Sequence, residues 1–176
     1  AHYYPDSSFF ITKLIADRAT RKLLGAQIIG SGSVDKMADI AVVGISMGIK
    51  ADDYITMDFA YAPPFSTAIH PFAAALNVLC NKLDGALESI TPAEYAGGAA
   101  EGYEVVDCGR VPFISGKRYM GLTTIDGPMD GFGREDKILL VCNKGKQAYL
   151  AQNRLKFYGY SNTKVLEGGA AFTEFE

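Results

Sequence analysis

The residues best suited to chemistry lie in one stretch, Ile138-Leu139-Leu140-Val141-Cys142-Asn143-Lys144-Gly145-Lys146-Gln147-Ala148. Apolar residues run into Cys142 as a buried parallel strand would, a short polar loop with a glycine follows, and a helix is expected from about Ala148. That order sets the thiol at the carboxyl end of a strand and beside a helix amino terminus, where unpaired N–H groups favour negative charge. Lys144 and Lys146 add positive potential. Both effects favour thiolate, the nucleophilic form of cysteine. The bland alternative is a small apolar residue closing a strand. Cys108 follows a strand-like run without a basic loop and reads as structural; Cys80 lies inside a helical pattern and reads as core.

The elements that must position Cys142 follow from the pattern around it. Tyr103 to Cys108 reads as a strand, Ile138 to Cys142 as a more apolar one, Ala148 to Tyr158 as a helix and Thr163 to Leu166 as a strand. Thr91-Pro92-Ala93-Glu94-Tyr95 reads as a short capped helix with proline just inside its start. Strands alternating with helices imply crossover connections and a mainly parallel sheet.

The first half is patterned differently. Phe9 to Ala16 and Leu24 to Ile29 read as a hairpin around the polar turn Asp17 to Lys22. Ser33 is placed to cap a helix from Val34 to about Gly48. That helix is apolar on most of its circumference, so one side is expected to face another chain. Tyr61-Ala62-Pro63-Pro64-Phe65-Ser66 is expected to be stiff and extended. Phe72, Leu76, Leu79 and Leu83 recur at helical spacing from Pro71, and His70 reads as a helix-start residue. Asp84-Gly85 ends this helix, and the boundary between two domains is placed there.

Composition excludes several classes. Hydrophobic residues make up 48% and charged residues 21% of 176, as in packed rather than disordered chains. The formal charge of −3 offers no basic field for nucleic acid or an anionic membrane surface. No apolar run approaches a membrane span, and no basic-then-apolar leader appears. Three cysteines make neither an even disulfide framework nor a zinc-ligand spacing. Reduced thiols in a cytoplasmic compartment are the simpler reading, with no metal expected. The chain begins Ala-His-Tyr-Tyr-Pro without Met, and reads as part of something longer.

Cys142-Asn143-Lys144-Gly145-Lys146-Gln147-Ala148-Tyr149, then Gly159-Tyr160, then Val165-Leu166-Glu167-Gly168-Gly169, resembles the active-loop half of a rhodanese domain. The match runs from about Ser89 to Phe175, with Val105-Val106-Asp107 resembling the family's early strand. The resemblance implies that Cys142 takes a sulfane sulfur as a persulfide and passes it to a thiol. It also implies that Asn143, Lys144, Gly145, Lys146 and Gln147 supply the cradle for the sulfur and its anionic carrier. This copy departs from the pattern: Gln147 stands where many relatives have Arg, the usual Asp-x-Arg is Asp107-Cys108-Gly109-Arg110, and Gly109 to Lys137 is short. A related phosphatase loop needs arginine where Ala148 stands.

Upstream, His2-Tyr3-Tyr4-Pro5, Lys13-Leu14-Ile15-Ala16-Asp17, Leu24-Gly25-Ala26-Gln27, Val34-Asp35-Lys36 and Tyr61-Ala62-Pro63-Pro64-Phe65-Ser66 occur in a fixed order. The series resembles the dimerisation domain of pyridine nucleotide-disulfide reductases, in the coenzyme A-disulfide reductase and NADH oxidase branch. It implies an α+β dimerisation domain over 1–84, truncated at its start, followed by an α/β rhodanese-like domain over 85–176 with a mainly parallel sheet. It further implies a homodimer in which Tyr3 and Tyr61 reach the partner's redox centre, with FAD and NAD(P)H bound by upstream domains. No Gly-x-Gly-x-x-Gly occurs here, so neither cofactor is expected on this chain; coenzyme A is a possible ligand.

The function implied is an FAD- and NAD(P)H-dependent disulfide or persulfide reductase, of the coenzyme A-disulfide or polysulfide type, with a sulfur-carrying domain. Two alternatives stand beside it. In one, a pairing module is joined to a degenerate rhodanese that binds coenzyme A or a partner protein. In the other, the parent is an NADH oxidase.

Overall fold

The polar turn from Asp17 to Lys22 folds the chain back so that β1 (Phe10–Ala16) pairs antiparallel with β2 (Leu23–Gly30). This computed structural model describes residues 8–63 and 65–175. Arg21 closes the turn in the left-handed region, at φ 61°. Its guanidinium holds Asp52 at 2.6 and 2.7 Å and Asp84 at 2.6 Å, tying the hairpin to the helical part of the same unit. The chain divides into two compact units, Ala1–Asp84 and Gly85–Glu176.

Beyond the hairpin the first unit is helical: α1 (Val34–Ser46), the short α2 (Ala51–Ile55) and α3 (Pro71–Leu83). Ser33 stands at the start of α1 but makes no side-chain capping bond, contrary to expectation. His70 does cap α3: its Nδ1 accepts the Phe72 N–H at 3.3 Å, and Pro71 fills the position where a missing N–H costs nothing. Leu23, Met37, Ala41, Tyr54, Phe72 and Leu76 form the core, where burying Phe72 and Leu76 contributes about 1.5–3 kcal/mol each. The ring of Tyr54 lies against Gly44, where any Cβ would sit 1.9 Å from it, and its hydroxyl donates to the Ile40 carbonyl. Only part of α1 is covered. Met37, Ala41 and Gly44 face the core, while Val42, Val43 and Met47 lie open.

The segment from Tyr61 to Ser66 corrects the expectation of an extended run. It closes as a turn, with Ser66 N–H donating to the Ala62 carbonyl at 2.9 Å and Ala62 N–H to the Ser66 carbonyl at 3.3 Å. A proline's fixed φ suits a turn corner as well as an extended strand, so the prolines alone do not decide between them.

In the second unit, β3 (Ser89–Ile90), β4 (Glu104–Asp107), β5 (Arg118–Tyr119), β6 (Ile138–Val141) and β7 (Thr163–Leu166) form one parallel sheet in the order β3-β7-β6-β4-β5. Thr91 and Glu94 complete a reciprocal capping box on α4 (Pro92–Ala96). The central strand β6 is buried on both faces. Leu140 joins Ala148, Ala151 and Leu155 of α5 (Lys146–Phe157), whereas Leu139 and Val141 join Ile90, Ile114 and Leu166. An unbroken apolar strand is what a sheet covered on both sides requires.

Helix α5 begins two residues earlier than its apolar pattern suggests, because Gly145 takes the left-handed conformation (φ 93°) that lets the helix start at Lys146. Gln152 fixes it to the sheet. This fully buried amide donates to the carbonyls of Glu88 at 2.8 Å and Thr163 at 2.9 Å, and accepts the Glu88 N–H at 3.1 Å. No described helix is long and apolar enough to cross a membrane.

Candidate functional site

Strand β6 ends at Val141, and the next residue, Cys142, therefore emerges at the carboxyl edge of the sheet. The loop turns at Gly145 and delivers the first turn of α5 directly over the sulfur. The Gly145 N–H points at Cys142 Sγ from 3.1 Å and the Ala148 N–H from 3.5 Å. Two backbone donors thus converge on one sulfur at the start of a helix, where N–H groups lack partners within the helix. A second constraint acts from below. The left-handed pair Gly168-Gly169 brings the Ala170 N–H to the Cys142 carbonyl and the Ala171 N–H to the Asn143 carbonyl, each at 3.0 Å. A Cβ on Gly169 would lie 1.9 Å from that Cys142 carbonyl oxygen, so only glycine permits this approach.

Cys142 borders a cavity of about 600 Å³, although the residue itself is only 3% exposed. One wall is Asn143, Lys144, Lys146 and Gln147, four of the five residues expected to form the cradle. The fifth, Gly145, acts through its backbone, and Ala148 supplies a second amide just beyond the expected loop. The opposite wall is Gly109, Arg110, Val111 and Phe113. Asp107, fully buried at the end of β4, shapes it by accepting N–H groups from Gly109 at 2.8 Å, Phe113 at 2.7 Å and Ile114 at 3.0 Å. Arg110 thus adds a third cation to a cavity that already holds two lysines. Its place was legible only as a disturbed Asp-x-Arg motif.

The remaining cysteines have different surroundings. Burial pushes the Cys108 thiol well above the ordinary range, with smaller contributions from neighbouring Cys142 and Asp107. Cys80 is buried in α3, and burial followed by the nearby Asp52 carboxylate raises it as well. All three are free thiols. Tyr61 belongs to the first unit, where it is 65% exposed; Tyr3, with His2 and Tyr4, lies outside the described residues. Burial, then Lys36, lowers the pKa of His70, in keeping with a neutral capping ring. Among the described residues no group of His, Cys, Asp or Glu is placed to hold a metal ion.

A dinucleotide does not fit this site. The strand–loop–helix unit that could cradle a pyrophosphate, β6 to α5, has its amides turned onto a cysteine sulfur, and its loop lacks the Gly-x-Gly-x-x-Gly spacing.

A parallel sheet with a cysteine loop over one helix terminus, preceded by a hairpin-and-helix unit, defines a two-part class, and comparison with known proteins matches both parts. Residues 1–73 match the pyridine nucleotide-disulphide oxidoreductase dimerisation domain. The persulfide reductase of A. fulgidus, described as NAD-dependent, is 32% identical and superposes over 99% of this chain and 32% of its own, with a TM-score of 0.82. The Bacillus anthracis protein CoADR-RHD is 26% identical over 98% of this chain and 32% of its own, with a TM-score of 0.87. Among curated proteins, the NAD(P)H coenzyme A polysulfide/persulfide reductase of Pyrococcus horikoshii is 35% identical over 78 residues, which is 44% of this chain and 17% of that protein. The chain thus spans about a third of those solved relatives. Its first 73 residues are thus similar to that dimerisation domain, and the whole chain shares its fold with one third of each of those two solved proteins.

Proposed function

We propose that Cys142 carries sulfane sulfur as a persulfide, within an FAD- and NAD(P)H-dependent protein that reduces coenzyme A disulfide, coenzyme A persulfide or polysulfide. In this reading residues 1–84 pair two subunits and residues 85–176 carry sulfur. One observation supports the carrier role above all others: Cys142 Sγ accepts two backbone N–H groups beside a cavity bordered by Arg110, Lys144 and Lys146. The thiolate attacks the outer sulfur of a donor R–S–S⁻ and a new S–S bond forms on Cys142. The donor's S–S bond breaks, and R–S⁻ leaves with its electron pair. The same amides and cations then face an anionic persulfide in place of an anionic thiolate. An acceptor thiol takes the outer sulfur by the same displacement in reverse.

The reductase reading is supported by the likeness of the first unit to the NAD(P)H coenzyme A polysulfide/persulfide reductase of Pyrococcus horikoshii. Tyr61 and Tyr3 are assigned as phenols that donate a proton or hydrogen bond to a thiolate of the partner subunit. The open phenol of Tyr61 and the apolar strip of Val42, Val43 and Met47 on α1 are consistent with a homodimer. The test of the carrier role is direct. After incubation with a polysulfide donor and desalting, intact mass shows one added sulfur atom per chain, and Cys142→Ser shows none. An unchanged mass in the parent chain sinks the proposal.

A further inference from the structure

Cys108 is a free thiol that the reaction above does not use, and it lies on the strand beside the one that is used. Strands β4 and β6 run parallel with Asp107 opposite Val141, the last paired rung, and the Cys108 N–H continues the ladder to the Val141 carbonyl at 2.6 Å. The residues one step beyond that rung are Cys108 and Cys142. Successive side chains alternate between the faces of a sheet, and Val106, Cys108, Leu140 and Cys142 all fall in the same core cluster, opposite to Val105, Leu139 and Val141. The two thiols therefore project from neighbouring strands to the same side. Adjacent strands lie about 4.8 Å apart, within the Cα separation of roughly 4.4–6.8 Å that a disulfide bridges.

We infer that Cys108 is the resolving thiol of Cys142, able to displace the carried sulfur and close a Cys108–Cys142 disulfide when no acceptor takes it. The inference rests on Cys142 carrying sulfane sulfur. The step balances as Cys142–S–S⁻ plus Cys108–SH giving the Cys108–Cys142 disulfide plus HS⁻. A bond forms between the two cysteine sulfurs, and the bond from Cys142 to the outer sulfur breaks. Its electron pair and the Cys108 proton leave with that outer sulfur. Cys108 is oxidised, the departing sulfur is reduced, and no outside oxidant enters.

Two features suit Cys108 to this role. It is fully buried, so it reacts with nothing that arrives from solvent and is reserved for its neighbour. Burial holds the proton on the resting thiol, so attack proceeds as that proton passes to the departing sulfur. Its thiol donates a long bond, 3.7 Å from Sγ to the Val106 carbonyl, which leaves the sulfur little to give up on turning towards Cys142. A purely structural Cys108 would be replaceable by alanine with a loss of packing and no change in sulfur chemistry.

The experiment loads the 176-residue chain with sulfur from polysulfide, removes the donor, and holds the protein without oxygen or acceptor thiol. Expected in the parent chain is loss of the added sulfur with release of one hydrosulfide per chain. The mass should end two hydrogens below the unloaded protein, and non-reducing peptide mapping should find Cys108 joined to Cys142. Cys108→Ala and Cys108→Val should keep the added sulfur, and a dithiol should restore both thiols in the parent. Persistence of the sulfur in the parent chain to the same extent as in these variants overturns the resolving role while leaving the carrier role intact. Failure of the parent chain and both variants to gain sulfur, with no two-hydrogen loss, removes the carrier role and this inference with it.

Discussion

The carboxylate of Asp107 accepts the Phe113 N–H at 2.7 Å, and through this and two neighbouring bonds it builds the wall that faces Cys142. Three amides, two of them buried, lose their acceptor in Asp107→Ala. A hydrogen bond to a charged group contributes about 1.5–3 kcal/mol, so the substitution should destabilise the second unit by roughly 3 kcal/mol. Denaturant titration checks the stability. Loading of Cys142 should slow as well, since Arg110 is carried on the same wall; an unchanged rate would show that this wall plays no part.

Glycines under the loop should differ sharply in tolerance. Alanine at Gly145 meets only ordinary contacts, 3.8 Å to the Gly168 nitrogen and 4.0 Å to the Leu166 carbonyl oxygen, and suffers the left-handed backbone, at about 1–2 kcal/mol. Alanine at Gly169 adds to that a Cβ 1.9 Å from the Cys142 carbonyl oxygen. Gly169→Ala is therefore expected to be the more destabilising of the two and to displace the cysteine. Thermal melts with iodoacetamide labelling of Cys142 compare the pair, and equal behaviour would contradict the packing described.

Charge should govern how donors approach. Neutralising Arg110, Lys144 and Lys146 together should lower the loading rate with an anionic donor roughly tenfold and flatten its dependence on salt, because the attraction being removed is screened by ions. Stopped-flow loading at two ionic strengths reads both effects. A rate insensitive to the triple substitution would place the donor's entry elsewhere.

Stability should decline on both sides of neutrality. The His70 pKa is lowered in the fold, so below the ordinary 6.5 the unfolded chain binds a proton that the native ring refuses, and the first unit weakens. The Cys108 pKa is raised, so above the ordinary 9.0 the unfolded chain releases a proton that the native thiol keeps, and the second unit weakens. Urea midpoints from pH 5 to 10.5, repeated with Cys108→Ala, test the assignment: the alkaline fall should shrink in the variant.

The uncovered strip on α1 should hold two subunits together. Val43 and Met47 are 57% and 74% exposed, so Val43→Asp with Met47→Asp should leave the first unit folded and yield a monomer by light scattering. A dimer that survives both charges would require another pairing face.

Local patterns in the chain were enough to place α3 from Pro71 to Leu83, β7 from Thr163 to Leu166, the short capped helix that starts at Thr91, and the strand-loop-helix frame around Cys142. Each rests on interactions between residues near in sequence: apolar period, caps and turn formers. The two-residue strands β3 and β5 were out of reach, since so short a run carries no period. So was α2, five residues long, and so was the turn at Ala62 to Ser66, because proline permits turn and extended backbone alike.

Only tertiary structure brought Arg110 opposite the lysines and Cys108 next to Cys142. Both juxtapositions come from the register of β4 against β6. Strands joined through a long connection reveal their alignment only once hydrogen bonds and a shared core have selected it.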